Sequence, residues 1–172
     1  MILRSIAGLV SVFVAVSAFG EGPSEKDAQK LVNDTVAAIK ADAPGTIAKI
    51  NAGAAPFKDP KDAGFYVFVY DTNLNMVAHP DKALVGRNLK GKADACGCLF
   101  RDEILNRAKG GKAATKCKAS KDSAWVDYVY KNPEKKTLEH KKTHYVLTKG
   151  GDGKEYLVMA GVYVAPMTSC DK

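Results

Sequence analysis

The stretch of sequence that decides the fold runs Phe65-Tyr-Val-Phe-Val-Tyr-Asp-Thr-Asn-Leu-Asn-Met-Val-Ala-His-Pro80. Its first six residues are all aromatic or β-branched, which is typical of a strand. Neither face of that strand is polar, so we expect both faces to be buried. Residues 71–75 supply turn chemistry, and residues 76–79 form a short second strand that Pro80 ends. The stretch therefore predicts two strands joined by a turn.

Helical signals flank this stretch on both sides. Residues 24–43 follow the helical period, with Ser24 as the N-cap and Asp27 placed to complete a capping box. Residues 46–54 predict a second, shorter helix. Residues 99–109 predict a third helix, which forms an insertion after the first two strands.

Three further strands are predicted beyond the insertion, at residues 123–130, 142–149 and 155–164. The last two form a hairpin around the glycine-rich turn at residues 150–153. The order is a long helix, two strands, a helical insertion and three strands. This order predicts an α+β domain with an antiparallel sheet rather than a repeated βαβ array.

The first 18 residues have the pattern of a secretory signal peptide: a basic start, an apolar run and small residues before the cleavage site. We expect cleavage after Ala18, or alternatively after Gly20. A single domain at residues 24–170 would then lie in the periplasm or outside the cell. The apolar run is shorter than the roughly 20 residues that span a bilayer. The alternative is an uncleaved anchor in the inner membrane.

The chain has a formal net charge of +7, and much of the excess lies in residues 109–121 and 131–142. A basic surface favours acidic ligands, anionic lipid or nucleic acid. Runs of this kind are also common on solvated surfaces, which is the interpretation that we favour. Lysine dominates over arginine and no nucleic-acid-binding motif is present, so we expect no nucleic-acid partner.

Four cysteines, Cys96, Cys98, Cys117 and Cys170, all lie beyond the predicted signal peptide. An even number in an exported chain predicts two disulfides. Cys96 and Cys98 are too close to pair with each other comfortably. One of them is therefore expected to pair with Cys117 and the other with Cys170, in an order that the sequence leaves open. No histidine sits at ligand spacing beside the Cys-x-Cys pair, so we predict no metal site.

Five pieces of the sequence, taken in order, resemble the single Cache family of type 2, which comprises PAS-like extracytoplasmic sensor domains. The stretch at residues 65–80 resembles the aromatic strand, acidic turn and short strand ending in His-Pro. The other pieces are residues 84–89, 124–128 with 132–133, 141–146 and 160–163. Together they cover about residues 25 to 164.

The resemblance implies a PAS-like fold, with a long N-terminal helix packed on a five-stranded antiparallel sheet. The chain departs from the family pattern in the insertion at residues 91–121, a segment that commonly helps to wall the pocket in this family. Cache domains bind small molecules, often short carboxylates, amino acids or amines, in chemoreceptors and histidine kinases. We therefore expect a free-standing sensor that binds a small molecule, with a carboxylate favoured. It would act in signal transduction or chemotaxis through a membrane partner.

The aromatic strand supplies the first candidate ligand-binding residues. Tyr66, Phe68 and Tyr70 share one strand face by the two-residue period. An aromatic floor with a few polar tips suits a small-ligand cavity, and core packing is the alternative for each of them. The resemblance places His79 at a frequent pocket position, where an imidazole could hold a carboxylate. The alternative is a strand-end histidine that caps backbone groups.

The remaining candidates lie on later strands and on a loop. Trp125 and Tyr128 have opposite parity, and we favour Trp125 as the cavity wall with Tyr128 as the second candidate. Lys142 and Tyr145 also differ in parity, and a lysine is a sensible counter-charge for a carboxylate. Loop residues 87–88 could reach over the mouth. The predicted ligand-binding residues are Tyr66, Phe68, Tyr70, His79, Arg87, Asn88, Trp125, Tyr128, Lys142 and Tyr145.

No catalytic constellation is evident in the sequence. His79 is far in sequence from His140 and His144, and Gly-x-Ser-x-Gly, His-Glu-x-x-His and phosphate-loop motifs are absent. We therefore predict no enzyme activity and no cofactor. The alternative function is a disulfide-stabilised, secreted interaction module. Its basic surface would bind an anionic partner without a small-molecule ligand.

Overall fold

The computed structural model describes residues 22–111, 117 and 124–170. The predicted signal peptide, residues 1–18, lies outside the described residues. Within those ranges, no helix has both the length and the apolar character needed to cross a bilayer.

Two consecutive helices open the fold. Helix α1, Glu25–Ala41, begins with the predicted capping box, in which the Asp27 N–H donates to the Ser24 hydroxyl and the Asp27 carboxylate accepts from the Ser24 N–H. Asp42 ends this helix with extended backbone, and its side chain accepts a hydrogen bond at the start of helix α2, Ala43–Asn51. The predicted first helix is thus confirmed, and the second begins three residues earlier than expected.

Five antiparallel strands form one sheet in the order β2-β1-β5-β4-β3. The strands are β1 Val67–Asp71, β2 Met76–Ala78, β3 Trp125–Lys131, β4 Leu138–Lys149 and β5 Glu155–Pro166. Strand β5 pairs with both β1 and β4, so the last strand of the chain joins the early hairpin to the late strands. The predicted α+β class, with a long N-terminal helix on a five-stranded antiparallel sheet, is confirmed.

Strands β4 and β5 form the predicted hairpin, and each has 12 residues. Strand β4 begins at Leu138 rather than at residue 142, because its first residues pair with β3 on one side and with β5 on the other. Residues 139–141 are polar or charged and have little strand propensity of their own. Their strand conformation comes from tertiary pairing, which local pattern does not reveal.

The sheet separates two apolar clusters. On one face, helices α1 and α2 bury Val32, Ile39 and Ile50 against strand side chains. On the other face, Phe68 and Met159 belong to a cluster that includes aromatic side chains of β1 and β3. Strand β1 is buried on both faces, as its unbroken aromatic and β-branched pattern predicts.

The insertion between β2 and β3 covers the second of these faces. It contains a short 3-10 helix, Lys82–Leu84, and helix α3, Phe100–Ala108. The Phe100 ring stacks on Tyr128 with the two centroids 3.6 Å apart. Helix α3 therefore packs on strand β3 of the sheet through a stacked pair of aromatic rings.

Two disulfides anchor the insertion. Cys96 bonds to Cys170 and Cys98 to Cys117. The predicted partners are confirmed, and the structure settles the order that the sequence left open. The first bond holds the C-terminal tail against the insertion.

Candidate functional site

A row of three aromatic side chains forms the floor of the candidate site. Tyr66, Phe68 and Tyr70 point to the same face as predicted, because Cβ atoms alternate along a strand. The ring centroids lie 6.0 Å apart for the first pair and 6.2 Å apart for the second. Tyr128 and Phe100, both buried, face the row from β3 and α3.

These residues enclose a cavity between the sheet and helix α3. It is also lined by Met76, His79, Arg101, Tyr130 and Lys141. Its volume is about 10 Å³, close to the space that one water molecule needs. A larger ligand can enter only if the surrounding rings move apart.

A wider groove adjoins the cavity on the outside. Its volume is about 430 Å³, and it shares Tyr66, His79 and Tyr130 with the cavity. The charged side chains of the groove are Lys58, Asp81, Lys131 and Lys136. Cations outnumber acids among them, so the groove attracts anions towards the shared aromatic wall.

His79 lies at the boundary between cavity and groove. Its backbone N–H donates to the Asn51 side chain, and its Nδ1 accepts a hydrogen bond from the Asp81 N–H at 2.8 Å. Burial, together with the Lys141 charge, lowers the pKa of His79 to about 4. The imidazole is therefore neutral near pH 7, and the Nδ1 bond leaves its proton on Nε2. His79 combines the two roles weighed from the sequence: it caps backbone and it lines the cavity.

Lys141 is the principal residue that sequence reasoning missed. Its side chain is 1 % exposed, and its Nζ lies 4.3 Å from the Tyr66 ring centroid and 4.7 Å from that of Tyr163. Burial lowers the pKa of the Lys141 ammonium to about 7, and the charge of Asp62 partly opposes this shift. Within the described part of the chain, no acceptor forms a hydrogen bond or ion pair with this Nζ.

Arg101 brings a second cation to the cavity from helix α3. The residue is 7 % exposed. Its Nε donates to the Tyr70 hydroxyl at 2.8 Å and its Nη1 to the Lys92 carbonyl at 3.2 Å, while its guanidinium lies over the Phe100 ring. This role could not be predicted from the sequence, because a charged residue in an amphipathic helix is usually solvated.

The structure places Trp125 and Lys142 on the opposite, helix-covered face of the sheet. Trp125 belongs to the cluster under α1, and its ring lies 5.0 Å from that of His144. Lys142 forms an ion pair with Glu25 at 2.8 Å. The preference for Trp125 over Tyr128 is therefore wrong for this cavity, because the parity of β3 turns Tyr128 inward.

The last predicted residues lie near the cavity without lining it. Tyr145 shares its face of the sheet but packs beside Arg107 of α3. Arg87 and Asn88 are exposed, and the Asn88 side chain donates to the Asn73 carbonyl and to the Asn75 side chain. These contacts hold the loop to the β1–β2 turn, so the loop does not close over the cavity.

A signal for Lys141 was present in the sequence. Residues 141, 143 and 145 share a strand face by parity, and Tyr145 was already a candidate for the inner face. The local pattern predicts a strand that begins at residue 142, however, and this leaves Lys141 outside it. The lysine that faces the cavity is therefore one position before the one predicted.

No cluster of three or more metal-ligating side chains occurs among the residues that the structure describes. The predicted interaction surface spans residues 91–142, of which residues 112–116 and 118–123 lie outside the described residues.

The family model described as Single Cache domain 2 matches residues 4–168 of the chain. No curated protein matches the chain. Among solved structures, a methyl-accepting chemotaxis protein from Vibrio parahaemolyticus RIMD 2210633 is similar over 80% of this chain and 86% of that one. The TM-score is 0.60 at 16% sequence identity, so this likeness concerns the fold.

Two further solved structures are more distant. The PAS domain of an HTR-like protein from Haloarcula marismortui has a TM-score of 0.40 at 11% identity, over 70% of this chain and 99% of that one. The ligand-binding domain of the Pseudomonas fluorescens chemoreceptor CtaA, in complex with L-alanine, has a TM-score of 0.37 at 14% identity. That match covers 75% of this chain and 40% of the chemoreceptor domain.

Proposed function

The chain belongs to the Single Cache domain 2 family, and from this premise we propose that it is an extracytoplasmic sensor domain for a small organic carboxylate. The ligand binds in the aromatic cavity between β1, β3, β4 and α3. The protein senses this ligand and does not transform it.

The observation that carries the proposal is the buried ammonium of Lys141. A buried charge is costly unless it is paired; the charge of Asp62 offsets the cost only in part, and no described residue forms a hydrogen bond or ion pair with this ammonium. Aromatic faces offset part of the cost through cation–π contact. A ligand carboxylate would supply the missing partner and favour the protonated form of the lysine.

The groove supplies the entry route to this site. Tyr66, His79 and Tyr130 face both spaces, and side-chain rearrangement on binding is common. Tyr130 is only partly buried, so its ring is the one that can move with least loss of packing. A carboxylate attracted by the groove lysines would pass between these side chains to reach Lys141.

Location and signalling are part of the same proposal. Residues 1–18 form a cleaved signal peptide and residues 24–170 the mature domain, and the two disulfides suit an oxidising compartment. The similar Vibrio structure is a methyl-accepting chemotaxis protein. By analogy, this domain passes its ligand signal to a membrane partner. Mass spectrometry of the exported protein would identify its first residue.

A thermal-shift screen of the oxidised domain tests the ligand class, with acetate, propionate, pyruvate, amino acids and amines as probes. We expect a carboxylate to raise the melting temperature by mass action. The Lys141→Met variant should lose this shift, whereas Lys142→Met, on the opposite face, should keep it. Silence across the panel from a folded sample would refute the proposal and favour an interaction module.

A further inference from the structure

Two buried cations line the same cavity from opposite walls. Lys141 lies over the Tyr66 end of the aromatic row, and Arg101 binds the hydroxyl of Tyr70 at the other end. Phe68 separates the two ends, with its ring centroid 6.0 Å from one neighbour and 6.2 Å from the other. The cavity therefore has a basic side chain at each end of an apolar floor.

Both cations keep unused hydrogen-bond donors. Lys141 has three N–H groups, none of which pairs with a described residue. Arg101 has five N–H groups, of which described residues accept two. The two side chains together therefore offer hydrogen-bond donors for more than one anionic group.

No acidic side chain lines this cavity among the described residues. A ligand ammonium group would meet two basic side chains, and the charge of Asp62 already acts on the Lys141 ammonium, which disfavours amines and zwitterionic amino acids. The Tyr66 face that could hold a cation already lies under the Lys141 ammonium. The charge pattern therefore selects anions, and it offers two anchors for them.

We propose that the site is specific for a ligand with two anionic groups, a compact dicarboxylate, whose carboxylates bind Lys141 and Arg101 while its carbon chain lies over Phe68. This inference rests on the proposed function and specifies its ligand class. Arg101 is the specificity-determining residue, because helix α3 of the insertion brings it to the cavity. Without Arg101, the cavity would still bind a monocarboxylate through Lys141.

Isothermal titration with succinate, propionate and monomethyl succinate tests the proposal on the intact, oxidised protein. Succinate should bind roughly tenfold to hundredfold more tightly than either monoanion, since a charge-assisted hydrogen bond is among the stronger polar contacts. The monomethyl ester has one charge fewer than succinate, and the protein is the same in both titrations. This test of the dicarboxylate proposal therefore does not depend on the folding of any variant.

The Arg101→Met variant should bind succinate only as tightly as it binds propionate, and a cooperative thermal unfolding transition checks that the variant is folded. Lys142→Met is the matched control and should retain the preference for succinate. Equal affinities for succinate and propionate in the wild-type protein would overturn this inference and leave the proposed function standing, provided that propionate binding depends on Lys141. Absence of binding by all three acids would overturn both.

Discussion

Lys141 and Lys142 are adjacent in the chain, yet their ammonium groups lie on opposite faces of the sheet. The first is enclosed by aromatic rings, with its Nζ 4.3 Å from the Tyr66 centroid. The second lies partly exposed and pairs with Glu25 of α1 at 2.8 Å. The pair offers a matched comparison, because the same side chain occurs in a buried and in a solvated setting.

Stability above neutral pH is expected to depend on Lys141. Its pKa is lowered by burial to about 7, against an ordinary value of 10.5. Between these values the unfolded chain binds more protons than the folded protein, so the free energy of unfolding rises with pH. The slope from this one group is at most about 1.4 kcal/mol per pH unit. Below the folded pKa Lys141 is protonated in both states. The increase in the free energy of unfolding that this group supplies at higher pH is therefore absent there.

Urea denaturation between about pH 7 and pH 9 measures this slope, in a range below the titration of unfolded tyrosines. The Lys141→Met variant should show a flatter profile than the wild-type protein. Lys142→Met should keep the wild-type profile. An unchanged slope in Lys141→Met would contradict the prediction.

Phe100 should be a major contributor to stability, because it holds helix α3 on the sheet. The residue is 2 % exposed and stacks on Tyr128. Replacing it by alanine should reduce the free energy of unfolding by about 3–5 kcal/mol. Chemical denaturation checks this value against Val164→Ala, whose side chain is half exposed. The control should cost less than about 1 kcal/mol; similar losses for both variants would argue against the role of Phe100.

Gly161 should tolerate no side chain, although it lies within a strand. A methyl group there would overlap the Lys142 carbonyl oxygen and the Thr143 side chain across the β4–β5 pair. Overpacking of this kind costs about 1–3 kcal/mol, so Gly161→Ala should lower the melting temperature. Gly22→Ala is the control, since a Cβ at Gly22 meets nothing within 4 Å. Equal melting temperatures for the two variants would disprove the close approach at Gly161.

The capping box of α1 should make a smaller, measurable contribution. Ser24→Ala removes the acceptor for the Asp27 N–H and should cost about 1 kcal/mol. Asp34→Ala, which removes only an exposed ion pair with Lys30, should cost less than about 0.5 kcal/mol. Thermal denaturation of the two variants compares them. The prediction fails if Ser24→Ala is as stable as Asp34→Ala.

Much of the fold could be predicted because its signals are local. The capping box at Ser24, the buried strand β1 and the glycine-rich hairpin turn depend on neighbouring residues, and each was located from sequence. The bounds of β4 could not be predicted, since residues 138–141 become strand only by pairing with β3 and β5. Because the predicted strand began at residue 142, Lys141 was not among the predicted site residues.

The candidate site was predicted in part. Four sequence candidates, Tyr66, Phe68, Tyr70 and His79, line the cavity together with Tyr128, the second choice on β3. The parity argument identified that Trp125 and Tyr128 face opposite sides, but it could not tell which side holds α1. Only the packing of α1 on one face and α3 on the other decided it.

The sequence by itself determined the α+β class, the aromatic floor and the set of cysteines that pair, because side-chain alternation and chain chemistry are local properties. Tertiary structure alone decided the disulfide order, the face of Trp125 and the meeting of Lys141 with Arg101 in one cavity. Those depend on contacts between segments far apart in the chain. The place of Arg101 in the cavity follows from how the insertion packs on the sheet, and that of Lys141 from the pairing of β4 with β3 and β5. The ligand class proposed for this site depends on both.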